Sequence, residues 1–304
     1  MRNLLVFALI TPFALIGCNS SDSGSSGSGG GGGSFSKSPT LQISTGSRAM
    51  VDEYVFGGIF GLEAGYSEFL FGDWSDFSVS FGQNASRLME RSLLSSRSIN
   101  QTVTESCDSG SEVYKVTATG ITESGDISTN GNFTLEIVSN NCRDEWWDDE
   151  YDITNGTMRY TISWTGYNAI NQTFSSLNFT MRAINSSFYE YVDGELYSFE
   201  EADGEMSSSI NGTTYANTLD VFLSSSDLNG EAIRLQTSTA ISGSTDNEYP
   251  SSGQWIVRGA GNTSAQYSIV PNGVEVSVNS GQAELLTWEY IDDNYGHGGW
   301  SDWD

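Results

Sequence analysis

The sequence predicts an α+β domain that is mostly β. The expected architecture is a large curved antiparallel meander sheet, or a partial barrel, packed on two N-terminal helices; a β-sandwich is the alternative. Three observations carry this reading. Apolar and polar residues alternate with period two in runs from about residue 112 to residue 290. Asn-Gly and Asp-Gly doublets recur along the same region, and such doublets supply the positive φ angles that tight hairpin turns require. Two stretches of helical periodicity come before the first of these runs, and none interrupts the later ones.

The first helical stretch covers residues 46–70. Val51, Val55, Ile59, Leu62, Tyr66 and Leu70 follow one another at steps of three and four, which places them on one face of a helix. Gly57, Gly58, Gly61 and Gly65 weaken that helix and suggest close contact with a neighbouring element. The second stretch, residues 84–99, offers Asn84 as an N-cap and Leu88, Leu93 and Leu94 as its apolar side. Both stripes read as core-facing surfaces.

The alternating runs follow. They are Glu112–Thr119, Asn132–Val138, Thr157–Trp164, Thr173–Met181, Thr214–Leu223, Ala232–Thr239, Gln254–Arg258, Ala265–Val270, Val274–Val278 and Ala283–Tyr290. Turn doublets stand at Asn130-Gly131, Asn155-Gly156, Asp193-Gly194, Asp203-Gly204, Asn211-Gly212, Asn229-Gly230 and Asn272-Gly273. This spacing predicts about ten to twelve antiparallel strands, apolar on one face and rich in Ser, Thr and Asn on the other. A sheet of that kind must bury its apolar face, and the preceding helices are the available cover. In its order of elements the chain looks like the half-barrels of lipoprotein-sorting and lipid-carrying periplasmic proteins.

Twelve Lys and Arg against 39 Asp and Glu leave a formal charge of −27. Such a chain repels nucleic acid and anionic lipid head groups, so no nucleic-acid partner is expected. The acidity is spread along the chain and reads as a solvated, salt-tolerant surface, with local peaks at residues 144–152 and 289–304.

The N-terminus has the form of an export signal. Met1-Arg2-Asn3 carries one positive side chain, and Leu4–Ile16 is apolar but too short to span a bilayer. The run ends in Leu15-Ile16-Gly17-Cys18, which resembles the lipobox of bacterial lipoproteins. The resemblance covers the first 18 residues only. It implies cleavage before Cys18, a thioether-linked diacylglycerol on Cys18 and a further acyl chain on its new amine. Two or more chains anchor stably where one is marginal. Asn19 follows the cysteine where an Asp would imply retention in the inner membrane, so the resemblance implies an outer-membrane lipoprotein, on its periplasmic face or at the cell surface. Residues 19–40 are a Gly/Ser-rich run that behaves as a flexible coil with a reach of about 25 Å. The expected organisation is therefore a signal peptide (1–17), a lipidated cysteine and tether (18–40), a β-rich domain with N-terminal helices (41–290) and an acidic aromatic tail (291–304).

With Cys18 consumed by lipid, Cys107 and Cys142 remain as an even pair in an oxidising setting, where a disulfide is expected. The bridge would close a loop of about 35 residues and stabilise by about 4 kcal/mol on a chain-entropy model.

Several chemistries are missing from the sequence. The single histidine, His297, lies in the Gly-flanked tail, which argues against a Ser-His-Asp hydrolase. His/Cys zinc sets, a GK[ST] phosphate loop and a CxxCH haem motif are absent. Two acidic-aromatic clusters remain, at 144–152 and 288–304. Asp148, Glu150 and Asp152 alternate as Ca²⁺ ligands do, but Ile153 stands where an EF-hand loop needs Gly. Trp146, Trp147 and Trp288 are the aromatic candidates for ligand contact. Ca²⁺ is the one cofactor considered.

These readings combine into a membrane-anchored envelope lipoprotein whose domain is a non-enzymatic binding or structural module. Its partners would be the bilayer, through acylated Cys18, and a glycan, lipid or envelope protein. A carbohydrate-active enzyme using an Asp/Glu pair and a periplasmic lipid or lipoprotein carrier are the alternatives.

Overall fold

A computed structural model describes residues 37–56, 98–121, 127–147, 150–170, 173–245, 247 and 249–295. A helix over residues 48–56, α1, comes first. Twelve strands follow. They are β1 (Ser98–Ser106), β2 (Ser109–Ile121), β3 (Ile127–Trp147), β4 (Glu150–Thr165), β5 (Ser176–Val192) and β6 (Glu195–Asn211). Then come β7 (Thr214–Ser225), β8 (Ala232–Ser244), β9 (Ser252–Arg258), β10 (Ser264–Val270), β11 (Gly273–Val278) and β12 (Glu284–Thr287). A second helix, α2 (Trp288–Tyr295), closes the described chain. The strands form one open antiparallel sheet in strict sequence order from β1 to β12. The expected meander is present, and the sheet is single rather than the paired sheets of a sandwich.

Residues opposite one another on neighbouring strands share a face, so the register shows where the apolar surface lies. Val116, Leu135, Tyr160, Met181, Met206 and Leu219 are successive partners from β2 to β7. Two residues further along β7, Val221 begins a second row that continues through Leu235, Val257 and Ala265 to β10. One apolar face thus runs across the sheet. The opposite face carries Lys115, Glu136, Arg159, Arg182 and Glu205 as successive partners. Lys115 bonds Glu136 at 2.7 Å and Arg159 bonds the same carboxylate. Hydrogen bonds from those two cations hold the Glu136 carboxyl below its ordinary range.

The core has two parts on that apolar face. In the first, α1 and α2 cover β7–β12, with Val51, Val55, Phe56, Trp255, Tyr267 and Val274 almost wholly buried. The Trp255 and Tyr267 rings stack at 5.2 Å, Phe56 meets both edge-on, and Tyr295 of α2 stacks on Phe56 at 5.3 Å. The second part is carried by β2–β6 and includes Phe133, Leu135, Tyr160, Ile162, Trp164 and Phe179. The segment before α1 is fastened across strand ends. Leu41 donates its N–H to Ala232 O, Ala260 donates to Leu41 O, and Ile43 donates to Thr263 Oγ1.

The structure departs from the sequence reading at several points. Of the first expected helix, residues 48–56 are helical and 57–70 lie outside the described residues. Of the second, residues 84–97 lie outside them, and Ser98 and Ile99 belong to β1. The run at Ala283–Tyr290 is a strand only to Thr287. There Thr287 Oγ1 accepts the Tyr290 N–H at 3.1 Å, which caps α2. Trp288, Ile291 and Tyr295 recur at helical spacing and turn toward the core. β6 has no counterpart among the predicted runs, because its core-facing row includes Ser198, Glu200, Gly204 and Ser208 and so shows little apolar alternation.

Three of the turn doublets lie inside strands. Asn130-Gly131 runs through β3, Asn155-Gly156 forms a bulge in β4 and Asp203-Gly204 runs through β6. Asp193-Gly194 and Asn211-Gly212 do sit at hairpin turns, with left-handed φ values at Asp193 (54°), Gly194 (75°) and Gly212 (61°). The long strands explain the difference. A Gly in a 16- or 21-residue strand makes room for a neighbour or a bulge instead of reversing the chain.

A candidate binding surface at the disulfide end of the sheet

One end of the sheet gathers the Cys107–Cys142 pair, the β3–β4 tip, the Asp193-Gly194 turn and the β7–β8 turn. The structure brings the two cysteines together as a disulfide, with Cα atoms 5.4 Å apart and a sequence separation of 35. Cys107 stands just before β2, and Cys142 lies beyond a bulge in β3. The bridge therefore ties the open end of the β2–β3 hairpin. Asp108 strengthens the tie by accepting the Glu145 N–H at 2.8 Å.

Acidic side chains collect on the apolar face of this end. Asp144, Asp152 and Glu190 are direct cross-strand partners on β3, β4 and β5. The row ends on Ser198 of β6, which donates to Glu190 at 2.7 Å. Like charges directly opposite one another are unfavourable in a sheet. Asp152 is nearly buried, whereas Asp144 is exposed. Partial burial of the carboxyl group, then the carboxylates of Glu112, Asp108 and Glu105, push Asp144 up. Glu112 is buried beside them and accepts hydrogen bonds from Tyr114 and, at 2.6 Å, from Ser139. Burial, reinforced by Glu112, pushes the Tyr114 hydroxyl far above its ordinary range.

The opposite face of the same strand ends is aromatic. The Arg143 guanidinium lies 3.7 Å over the Tyr151 ring, and Tyr151 stacks on Tyr191 at 4.6 Å. Tyr189 stacks on Phe199 at 6.0 Å and donates to Glu201 at 2.7 Å. Rings that stack on cross-strand neighbours stand up from the sheet and brace its strands. Arg143 also pairs with Glu145 at 2.9 Å, on the face opposite the acidic row.

The expected site residues fall variously. Cys18 and Asp148 lie outside the described residues, as do the side chains of Trp146 and Trp147. Glu150 is half-buried at the start of β4, opposite Trp147, and Asp152 lies between Asp144 and Glu190. The acidic neighbours of Asp152 thus come from other strands, not from the sequential triplet. The acidic-aromatic stretch 144–152 is mostly strand among its described residues. Trp288 is half-buried, stacks on Tyr249 at 4.6 Å and packs against the core. Cys107, Cys142 and Asp144 have potential ligand atoms within 4.8 Å of one another. The two sulfurs are bonded to each other, which leaves Asp144 as the only donor of that group. Glu190, Tyr151 and Tyr191 escaped sequence reasoning, because their partners are fixed by register across 40 residues of chain.

Chemically, this end offers hydrogen-bond acceptors and negative potential on one face and standing rings on the other. The acidic face suits a cationic group, and the rings of the other face suit the flat face of a hydroxyl-rich ring. Comparison with known protein families, with curated proteins and with solved structures finds no match to this chain.

Proposed function

We propose that the chain is an envelope lipoprotein. It is held by acylated Cys18 at the outer membrane, and its β domain serves there as a non-enzymatic binding module. The observation that carries this reading is the Leu15-Ile16-Gly17-Cys18 motif after a short apolar run, followed by a Gly/Ser tether. The Cys107–Cys142 pair supports it, because disulfides persist outside the reducing cytoplasm. The described chain begins at Lys37, whose ammonium bonds Glu201 at 3.1 Å near the disulfide end of the sheet.

The anchor is tested by expressing the full chain in bacteria fed an alkyne-tagged fatty acid. Label on the wild type and none on Cys18→Ser is the expected result. An unlabelled wild type, or an equally labelled variant, overturns the reading. The binding role is tested by screening the soluble Cys18→Ser protein against immobilised glycans, lipids and envelope proteins. Binding that Asp152→Asn or Tyr191→Ala weakens would place the ligand at the disulfide end.

A further inference from the structure

Three acidic side chains meet where α1 lies on the sheet. Glu200 is on β6, opposite Ser225 of β7. Asp227 is in the short helical turn Ser226–Leu228 that follows β7. Glu53 is on α1, next to Tyr54, which is buried and hydrogen-bonded to Ser225. One carboxylate oxygen of Glu200 and one of Asp227 are closed off from water without a hydrogen-bond partner. No ion pair among the described residues reaches either group. Lys37, on the segment before α1, is paired with Glu201, and Arg48 of α1 is paired with Asp52 and Glu284.

A buried carboxylate with no partner is strongly unfavourable when ionised and far less so when it holds its proton. We propose that Glu200 and Asp227 form a proton-operated latch, which holds α1 on the sheet while they are protonated and loosens it when they ionise. Their surroundings support this. Burial, then Asp227, push the Glu200 carboxyl well above its ordinary range. Burial, then Glu53, push Asp227 up to about 6. Burial and the charges of Glu200 and Asp227 also push the Tyr54 hydroxyl up, so it stays a neutral donor. Ionisation would set Glu200 against Asp227, and Asp227 against Glu53 on the helix itself.

The sign follows from the raised values. The stabilisation is fully present below about pH 4, where these carboxyls are protonated folded or unfolded, and it is lost as pH rises through about 6 and beyond. Asp52 of α1 is also raised by burial, but its bonds to Tyr267 and Arg48 set it apart from the latch.

Amide hydrogen exchange of peptides covering residues 48–56, corrected for the intrinsic effect of pH, tests the latch on the full chain. Opening of α1 is expected to be about tenfold more frequent at pH 8 than at pH 5, allowing for solvent screening of half-buried Asp227. A reference peptide over residues 157–164 should shift much less. The Glu200→Gln/Asp227→Asn variant should flatten the α1 response, while Glu205→Gln, at an exposed position on β6, should keep it. If the double variant does not fold, Asp227→Asn alone should reduce the response. Equal α1 protection at both pH values in the wild type overturns the latch. So does an undiminished response in whichever latch variant folds.

Discussion

Single side chains decide how α1 is fixed to the sheet. Asp52 is 2 % exposed, accepts the Tyr267 hydroxyl at 2.7 Å and the Arg48 Nε at 2.9 Å, and so joins α1 to β10. Removing one partner of a buried polar pair leaves the others desolvated and unpaired. Asp52→Ala is expected to lower stability by about 3 kcal/mol, and Tyr267→Phe by about 1 kcal/mol, in urea unfolding. Gly131 is a second residue-scale constraint. A side chain there would run into the Trp164 ring and the Thr119 carbonyl. The indole cannot easily yield, because its N–H is bonded to Ser128 O at 2.9 Å. Gly131→Ala should therefore cost about 2 kcal/mol by overpacking, read as a lower urea midpoint. The doublet Asn130-Gly131 was legible as a special backbone position. Its purpose was not, since Trp164 arrives from 33 positions further along the chain.

At the scale of elements, the disulfide pins the β2–β3 hairpin at the end where β3 and β4 carry closely spaced carboxylates. With the cysteines separated by 35 positions, the chain-entropy model gives about 4 kcal/mol. Cys107→Ser/Cys142→Ser should lower the unfolding free energy by that order. Reductant should shift the wild type toward the variant and leave the variant unmoved. The pair could be inferred from counting cysteines, once the lipobox resemblance sets Cys18 aside as the expected site of lipid attachment. α2 was equally accessible in principle. Trp288, Ile291 and Tyr295 are helically spaced, but the alternation of the preceding strand masked the change of period. β6 was not accessible by pattern, since Glu200, Gly204 and Ser208 stand where an apolar alternation would announce a strand. Its place is fixed by pairing with β5 and β7.

The whole molecule carries a formal charge of −27. Self-repulsion of that size destabilises the compact state and is screened by salt. The melting temperature is expected to rise between about 10 mM and 500 mM NaCl, as the screening length falls from about 30 Å to a few Å. A flat response would mean that local pairs such as Arg234–Asp220, at 2.8 Å, already offset the repulsion. The latch acts in the same direction as general repulsion when pH rises. Salt separates the two, because it weakens the surface term and leaves the buried Glu200 carboxylate largely unscreened.

The sequence by itself determined a mostly β domain of about ten to twelve meandering strands, the solvated acidic surface and the pairing of Cys107 with Cys142. These follow from local period, composition and counting, which need no knowledge of distant neighbours. The tertiary structure alone decided the register that sets Asp144, Asp152 and Glu190 side by side, the aromatic ladder behind them and the meeting of Glu53, Glu200 and Asp227. Each joins residues from different strands or helices. A shift of one residue in any pairing would turn those side chains to the opposite face.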